Sequence, residues 1–427
     1  MTATLSPRAA LLRTPNFRWM MAGGFISALG DQFTMIALPW LVLKMTGDAV
    51  ALGLVVALMS VPRAVFLLLG GALVDRHAPK TVLMMSKYAN VALLGLLAAL
   101  VLGGHASLPA VAALALGIGL ASAFSIPAGS SLLPHMLPVE QLQMANGMLM
   151  GMRQLTMLAG PLLASLLFIV AGDGSGTGPG AARGLGYAFA FDCVSFLVSA
   201  WTLTHVHVLA SSGPRAPHAP LLKAVGEGLA TVWNDVALRT CLLYWAVCAC
   251  VIGGTMQVAL PVLASTRLDG AAALGLIMGA HGAGSLLGMA LTGVVGSVRV
   301  RNLGTTILLI DAIVGVLLIP FGGIGASWQA AALMLVIGVL GGFMQVAIFS
   351  WLQRRVPRAM LGRAMSIFMF IFMGLAPLTA AVTGWLLQLM NLGQLFVASG
   401  AFLIIAAALA YTFTPIRTIA EAPPAAP

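Results

Sequence analysis

The chain is built from long apolar runs, each close to the length that a helix needs to cross a lipid bilayer. About 20 apolar residues in a helix span the hydrocarbon layer. Of the 427 residues, 60% are hydrophobic and only 7% are charged, whereas a soluble domain carries about a quarter of its residues as charges. We therefore predict an all-α membrane protein with twelve transmembrane helices. The predicted spans are residues 17–43, 50–74, 81–103, 108–134, 141–171, 186–209, 237–264, 271–296, 303–324, 328–352, 361–389 and 392–414.

The predicted spans fall into two sets of six, one on each side of an extended polar segment. Residues 211–220 are rich in Pro, Ser and Gly, and residues 221–235 have the pattern of a short amphipathic helix that rests on the membrane surface. Two halves of like topology predict two pseudo-symmetric bundles with a substrate site between them, near the middle of the bilayer. The predicted units are an N-terminal bundle (1–210), a cytoplasmic linker (211–236), a C-terminal bundle (237–416) and a cytoplasmic tail (417–427).

The basic residues predict the orientation of the chain. Loops on the cytoplasmic side of a membrane protein carry an excess of Lys and Arg. With the N-terminus in the cytoplasm, sixteen basic residues, Lys87 among them, fall on the cytoplasmic face, and only Lys44, Arg183 and Arg267 fall on the other. We expect a multi-pass protein of the cytoplasmic (inner) membrane with both termini in the cytoplasm. This distribution explains the net charge of +10 without nucleic acid as a partner.

Enzyme motifs are missing from the sequence. We find no Walker loop, no His/Glu metal cluster and no convincing pairing of a nucleophile with a base. The segments outside the membrane are too short for an ATPase domain. The four cysteines lie within apolar stretches and complete no zinc pattern. We therefore expect neither an enzyme nor a bound metal or cofactor.

Three ionisable residues inside the predicted spans share one depth. Asp31 lies thirteen residues after Arg18 and thirteen before Lys44, and Arg63 and Arg153 lie at similar distances from the ends of their spans. At a rise of about 1.5 Å per residue, all three are roughly 18–20 Å from the cytoplasmic boundary. An ionisable side chain at this depth costs at least a few kcal/mol, so each is a functional candidate. We expect Asp31 to bind protons or face the substrate, with Arg63 or Arg153 as its partner; a fixed structural ion pair is the alternative.

A short charged loop connects the second and third spans. It resembles the signature of the major facilitator superfamily at this place, Gly-x-x-x-Asp-Arg-x-Gly-Arg-Arg/Lys. The residues that match are Gly71, Asp75, Arg76 and Lys80, and those that depart from the signature are Ala78 and Pro79. The resemblance implies the twelve-helix fold of that superfamily. It also implies that Asp75 contacts the other half of the molecule and latches the outward-open state.

Further features in both halves resemble the macrolide-efflux and enterobactin-export branch of the superfamily. They are Leu29-Gly-Asp31-Gln-Phe, Phe191-Asp192-x-x-Ser195-Phe, and residues 356–366 followed by Pro377. In the fifth span, Gly151 and Gly160-Pro161 resemble the antiporter motif of the superfamily, which favours exchange over uniport.

The resemblance also implies roles for the other polar residues inside the spans. Helices 1, 2 and 5 surround the central cavity in this superfamily, which supports the assignment of Asp31. Asp192 and Asp311 fall on its peripheral helices, where capping or interhelical hydrogen bonding is the favoured role. His281 fits a buried histidine better than a proton relay. Candidate contacts to a bound molecule are Tyr244, Trp245, Gln257 and Gln345.

We therefore expect a monomeric secondary transporter that exports an amphiphilic small molecule, such as a drug or a siderophore, in exchange for protons by alternating access. Its partners are then the small-molecule substrate, protons and the lipid bilayer. Two alternatives stay open. One is uptake or lysophospholipid translocation with the same fold, and the other is a membrane sensor that does not transport.

Overall fold

The computed structural model describes residues 11–76, 78–133, 136–172, 183–207, 233–268, 270–295, 301–356 and 376–419, together with residues 226, 230, 367, 368, 370 and 371. This part of the chain is helical, and no strand occurs in it. The prediction of an all-α protein is therefore confirmed.

The helices follow the predicted spans in order. They are α1 (Pro15–Thr46), α2 (Ala49–Arg76), α3 (Pro79–Leu102), α4 (Leu108–Leu132), α5 (Val139–Ala171), α6 (Arg183–Thr204), α7 (Val236–Arg267), α8 (Ala271–Val295), α9 (Leu303–Leu318), α10 (Ser327–Arg355), α11 (Ala376–Leu389) and α12 (Leu392–Phe413). Ten of them are long and apolar enough to cross a membrane, and α2 and α11 occupy the positions of the second and eleventh predicted spans. The multi-span prediction is confirmed to that extent.

The turn between α1 and α2 shows how the helices end and reverse. Gly47 ends α1 at a φ of 63°, and its N–H donates to the Leu43 carbonyl at 2.7 Å; glycine adopts this left-handed conformation without steric cost. The Asp48 carboxylate then accepts the Val50 N–H at 2.8 Å and begins α2. Short connections of this kind make successive helices antiparallel. The start of α1 and the end of α12 therefore lie on one side of the bundle, which we call the termini side.

Helix packing divides the bundle into two halves related by pseudo-symmetry. In the first half α1 packs on α6, α2 on α4, and α3 on α4 and α6; in the second half α8 packs on α10, α9 on α12, and α7 on α11. The halves meet mainly through two helix pairs, α5 with α8 and α2 with α11, with smaller contacts of α1 with α7 and α8 and of α2 with α7. A shift of six helices along the chain exchanges these two pairs. A pseudo-twofold axis therefore runs through the interface between the halves.

The outer surface of the bundle is apolar. Ile169, Val170 and Phe413 are 68%, 79% and 81% exposed, whereas Trp40 and Trp245 are almost completely buried. Large exposed apolar surfaces are unusual in soluble monomers. This surface therefore suits the hydrocarbon layer of a membrane.

An ion pair on the termini side joins the beginning of α7 to the end of α10. The Asp235 carboxylate accepts hydrogen bonds from Arg355 Nε at 2.9 Å and Nη2 at 3.2 Å, and from the N–H groups of Ala237 and Leu238. Partial burial by itself raises the pKa of Asp235, but the hydrogen bonds from Arg355 and the two N–H groups, with the Arg355 charge, hold it below its ordinary value. The ionised carboxylate is therefore the form that caps α7.

This arrangement predicts an acid-dependent loss of stability. Because folding lowers the pKa of Asp235, the ionised carboxylate adds its full stabilising free energy to the folded state at neutral pH. This stabilisation is lost as the pH falls below about 4, the ordinary pKa of an aspartate. We expect Asp235→Asn to lower the melting temperature of the purified protein by a few degrees at pH 7 and by less at acidic pH, as followed by tryptophan fluorescence. A double-mutant cycle that combines Asp235→Asn with Arg355→Gln measures the interaction energy of the pair. Strict additivity of the two changes would contradict the assignment.

Candidate functional site

Glycines in α1 let α6 approach closely beside Asp31. A Cβ atom at Gly30 would overlap Asp192 Oδ1 and Ser195 Oγ, and one at Gly23 would overlap Thr202 Oγ1. Glycine allows helix backbones in membranes to come near each other. The polar side chains of α6 therefore lie directly against the backbone of α1.

Asp192 is the most deeply buried acid of this contact. Its side chain is 1% exposed; Oδ2 accepts a hydrogen bond from Thr34 Oγ1 at 2.5 Å, and Oδ1 accepts one from Ser195 Oγ at 3.1 Å. Hydroxyl donors satisfy a carboxyl group of either charge state, because they can also accept. The carboxyl group thus ties α6 to α1.

Lys87 of α3 reaches the same region and is only 7% exposed. Its Nζ donates to Ser199 Oγ at 2.5 Å and lies 5.6 Å from the centre of the Phe196 ring, and Ser199 Oγ donates to Ser27 Oγ at 3.4 Å. Counting Lys87 with the basic residues of the cytoplasmic face was wrong. It lies two turns inside α3, where the Ser199 hydroxyl and the face of an aromatic ring take the place of water around its ammonium group.

Asp31 connects the two buried groups. Its side chain is exposed, and it interacts electrostatically with both Lys87 and Asp192. Three ionisable groups from α1, α3 and α6 therefore form one cluster, which we call the Asp31 cluster (Asp31, Lys87 and Asp192). With both acids ionised it carries one net negative charge, which one proton or one cationic group neutralises.

The fifth helix lies beside this cluster. A Cβ atom at Gly160 would overlap the Gln32 side chain, so Gly160 allows α5 to pack on α1 next to Asp31. Arg153 lies two turns, about 10 Å, nearer the termini side, and its side chain is exposed. Gly151 has nothing within 4 Å of its Cβ position. The predicted proximity of α1 and α5 is therefore present, whereas close packing at Gly151 is not.

Among the described residues, the backbones of the two halves come closest on the side opposite the termini. The Cβ positions of Gly275 and Gly282 in α8 lie 2.6 Å from the carbonyl oxygens of Pro161 and Met157 in α5. In the second interface pair, Gly53 of α2 packs on the backbone of α11 near the start of α2. The close backbone contacts that the described part of the chain shows between these helices therefore lie on the side opposite the termini.

A glutamine pair lies nearer the termini side of the same interface. Gln154 Nε2 of α5 lies 2.7 Å from Met289 Sδ of α8 and 3.5 Å from Gln345 Oε1 of α10. Gln154 is buried, whereas Gln345, predicted to contact a bound molecule, is exposed. The exposed position of Gln345 suits a contact with a bound molecule at the edge of the interface between the halves.

The other predicted residues of the second half lie on α7, α8 and α9. Trp245 packs edge-on against Trp351 and Phe368, and Gln257 lies in a π-helical segment of α7, Thr255–Ala259. His281 is partly buried in α8, and its Nδ1 has no hydrogen-bond partner. Tyr244 and Asp311 are both buried, on α7 and α9.

The predicted latch can be placed only at Lys80. Its Nζ donates to the Val206 and Thr204 carbonyl oxygens at 2.7 and 3.2 Å, where α6 ends. A lysine at this position satisfies the last carbonyls of a helix and complements its dipole. The side chains of Arg63, Gly71, Asp75 and Arg76 lie outside the described residues.

Two helical halves related by pseudo-symmetry, with ionisable groups inside the helix bundle of one of them, have the architecture of a secondary transporter. The family model of the Major Facilitator Superfamily matches residues 20–381, and the chain belongs to that superfamily.

Curated relatives include exporters. The chain is 26% identical over 425 residues to the enterobactin exporter EntS of Escherichia coli O1:K1 / APEC, covering 97% of this chain and 96% of the relative. It is 24% identical over 422 residues to the MFS-type transporter y4rN of Sinorhizobium fredii, covering 96% and 97%. The multidrug efflux pump Tap of Mycolicibacterium fortuitum is 30% identical over 225 residues, about half of each chain (49% and 50%). The predicted likeness to enterobactin exporters is confirmed.

Solved transporter structures share the fold. An auto-inhibited POT family peptide transporter matches with a TM-score of 0.74 at 12% identity, covering 96% of this chain and 98% of that one. A bacterial homologue of the human lysosomal transporter Spinster, in an inward-facing and unoccupied conformation, matches with a TM-score of 0.68 at 15% identity, covering 97% and 98%. At these identities the likeness concerns the fold alone.

Proposed function

We propose that the protein exports an amphiphilic small molecule across the cytoplasmic membrane in exchange for protons, by alternating access. The observation that carries this proposal is the Asp31 cluster, which places two acids and one lysine within the first half, one helix away from α5 of the interface. Charged groups at membrane depth are rare and mark ion and proton pathways.

The charges of the cluster explain how protons and cargo exchange. One proton neutralises the single negative charge that remains when both acids are ionised, and a cationic part of a cargo molecule can do the same. Met35, one turn after Asp31, is 56% exposed, so the acid stands beside apolar surface. An amphiphile with a polar or cationic end suits an acid that stands next to an apolar surface.

The described contacts between the halves support alternating access. With both termini in the cytoplasm, as the basic residues predict, the contacts of α5 with α8 and of α2 with α11 close the outer side. The names of two relatives, an enterobactin exporter and a multidrug efflux pump, support export over uptake.

Vesicles of known orientation test the direction and the coupling. We expect inside-out proteoliposomes with an acidic interior to accumulate a fluorescent lipophilic cation, and a protonophore to abolish the accumulation. Right-side-out vesicles with an acidic exterior should lose a preloaded probe. Probe movement that ignores the protonophore would contradict proton coupling. Movement only in the opposite direction would support uptake instead.

A further inference from the structure

We propose that Asp311, together with Tyr244 and Cys248, forms a second proton-binding site, in the C-terminal half of the protein. The cluster that supports the proposed function lies entirely in the other half. The second site rests on the proposed proton-coupled transport, adds a proton to its cycle and involves different residues.

The two halves place an ionisable group at equivalent positions. Lys87 lies eight residues after the first residue of α3, and Asp311 lies eight residues after the first residue of α9, six helices further along the chain. Both are buried, at 7% and 2% exposure. The neighbouring residues correspond as well, because Ser27 and Cys248 each lie twelve residues after the first residue of their 32-residue helices, α1 and α7. The pseudo-symmetry therefore relates a buried lysine in one half to a buried acid in the other.

The surroundings of Asp311 contain a thiol and a phenol. Cys248 Sγ lies 4.0 Å from Asp311 Oδ2. Tyr244 lies one turn before Cys248 and is 8% exposed, and its hydroxyl lies close enough to Asp311 and Cys248 to interact with both, although it makes no hydrogen bond of good geometry with either. A buried polar group without a partner is uncommon in proteins. This hydroxyl is therefore available to a carboxyl group that changes its charge or position.

The helices packed on α9 bring no cation to the acid within the described residues. α9 packs on α10, on α12 and on the short turn Pro415–Thr418. The titratable or charged residues of these elements are Arg354, Arg355, Tyr411 and Arg417. All four lie at the termini-side ends of their elements, where Arg355 pairs with Asp235 and Arg417 lies over the Tyr411 ring. The two arginines of α7 lie near its two ends, where Arg239 lies over the Trp233 ring and Arg267 donates to the Gly322 carbonyl oxygen. An ionised carboxylate at Asp311 would therefore be buried without a counter-charge, and the neutral acid is the favoured form here.

A π-helical segment of α7 connects this acid to the interface between the halves. The π-helical segment Thr255–Ala259 begins seven residues after Cys248, and such segments are frequent at functional sites. Gly254 packs on Thr383 of α11, the helix that meets α2 of the other half. Thr255 Oγ1 donates to Ser399 Oγ of α12 at 3.3 Å. A shift of α11 during transport therefore acts on α7, and α7 carries the Tyr244 hydroxyl and the Cys248 thiol that face Asp311. Proton binding at Asp311 is in this way linked to the conformation.

The Asp311→Asn variant tests the site, because asparagine keeps the shape of a protonated aspartic acid but cannot titrate. In infrared difference spectra of the protein in liposomes, recorded between two pH values in H₂O and D₂O, we expect the wild type to show the carbonyl band of a protonated carboxylic acid. This band should lose one component in Asp311→Asn and keep that component in Asp31→Asn. The number of protons moved for each molecule of a fluorescent lipophilic cation should fall in Asp311→Asn, and Asp311→Glu should restore it.

The outcomes separate this proposal from the proposed function. Identical spectra of Asp311→Asn and wild type would overturn the second site, as would an unchanged ratio of protons to probe. If Asp311→Asn does not insert stably, the same two measurements are made on Asp311→Glu. A titrating carboxyl group at this position still gives a carbonyl band in that variant, but at a shifted frequency, and an unshifted band would overturn the second site. Unimpaired proton-driven transport in Asp31→Asn would instead argue against the role of the Asp31 cluster and leave the Asp311 site standing.

Discussion

The Asp31→Asn variant is expected to lose proton-driven transport, down to the level of liposomes without protein, while it still folds and inserts. Asparagine keeps the size of the side chain, and Asp31 is exposed, so packing changes little. It removes the charge that interacts with both Lys87 and Asp192. Without this acid one proton no longer switches the net charge of the cluster. Transport of a lipophilic fluorescent cation under an imposed proton gradient measures the loss.

Two further variants show whether the loss at Asp31 comes from its charge. Asp31→Glu keeps the acid and should retain part of the transport. Asp48→Asn is the matched control, because Asp48 is an acid at the start of α2 whose capping bond to the Val50 N–H an asparagine can also accept. Transport in Asp31→Asn equal to that of Asp48→Asn would remove Asp31 from the proton pathway.

Much of the fold could be predicted from the sequence because a bilayer permits few solutions. The apolar run 81–103 corresponds to α3 at Pro79–Leu102, and the run 392–414 to α12 at Leu392–Phe413. The length of an apolar run fixes a spanning helix closely, since every backbone group must be bonded within it. The break of α7 at Thr255–Ala259 was not predicted. A local change from α to π pairing depends on packing against α11 and α12 rather than on composition.

The candidate site could be predicted only in part. Asp31 was selected from its depth, which follows from its distance along one helix. The proximity of Asp192 and Lys87 depends on how α1, α3 and α6 pack, which no count along the chain supplies. A signal for Lys87 exists in the sequence, because it is the one lysine inside a predicted span, but the count of basic residues places it on the cytoplasmic face. Asp192 was expected to make interhelical hydrogen bonds, and its bond to Thr34 is of that kind.

Replacement of Lys87 by methionine is expected to lower both stability and transport. Methionine keeps a long unbranched side chain in the space beside Phe196 but removes the ammonium group that donates to Ser199. Asp192 is then buried close to another acid without a cation from α3. The lost charged hydrogen bond to Ser199 costs about 1–3 kcal/mol, and the screened interaction with the exposed Asp31 adds at most about 1 kcal/mol. The melting temperature in detergent should fall by several degrees.

A second substitution distinguishes lost charge compensation from lost packing. The double variant Lys87→Met with Asp31→Asn removes one positive and one negative charge, so it should regain much of the stability that Lys87→Met loses. It should not regain proton-driven transport, because it lacks Asp31. Lys87→Arg keeps the charge and should stay closer to wild type in stability than Lys87→Met does. If the double variant melts no higher than Lys87→Met alone, packing rather than charge explains the effect, and Lys87 does not act as the counter-charge of the two acids.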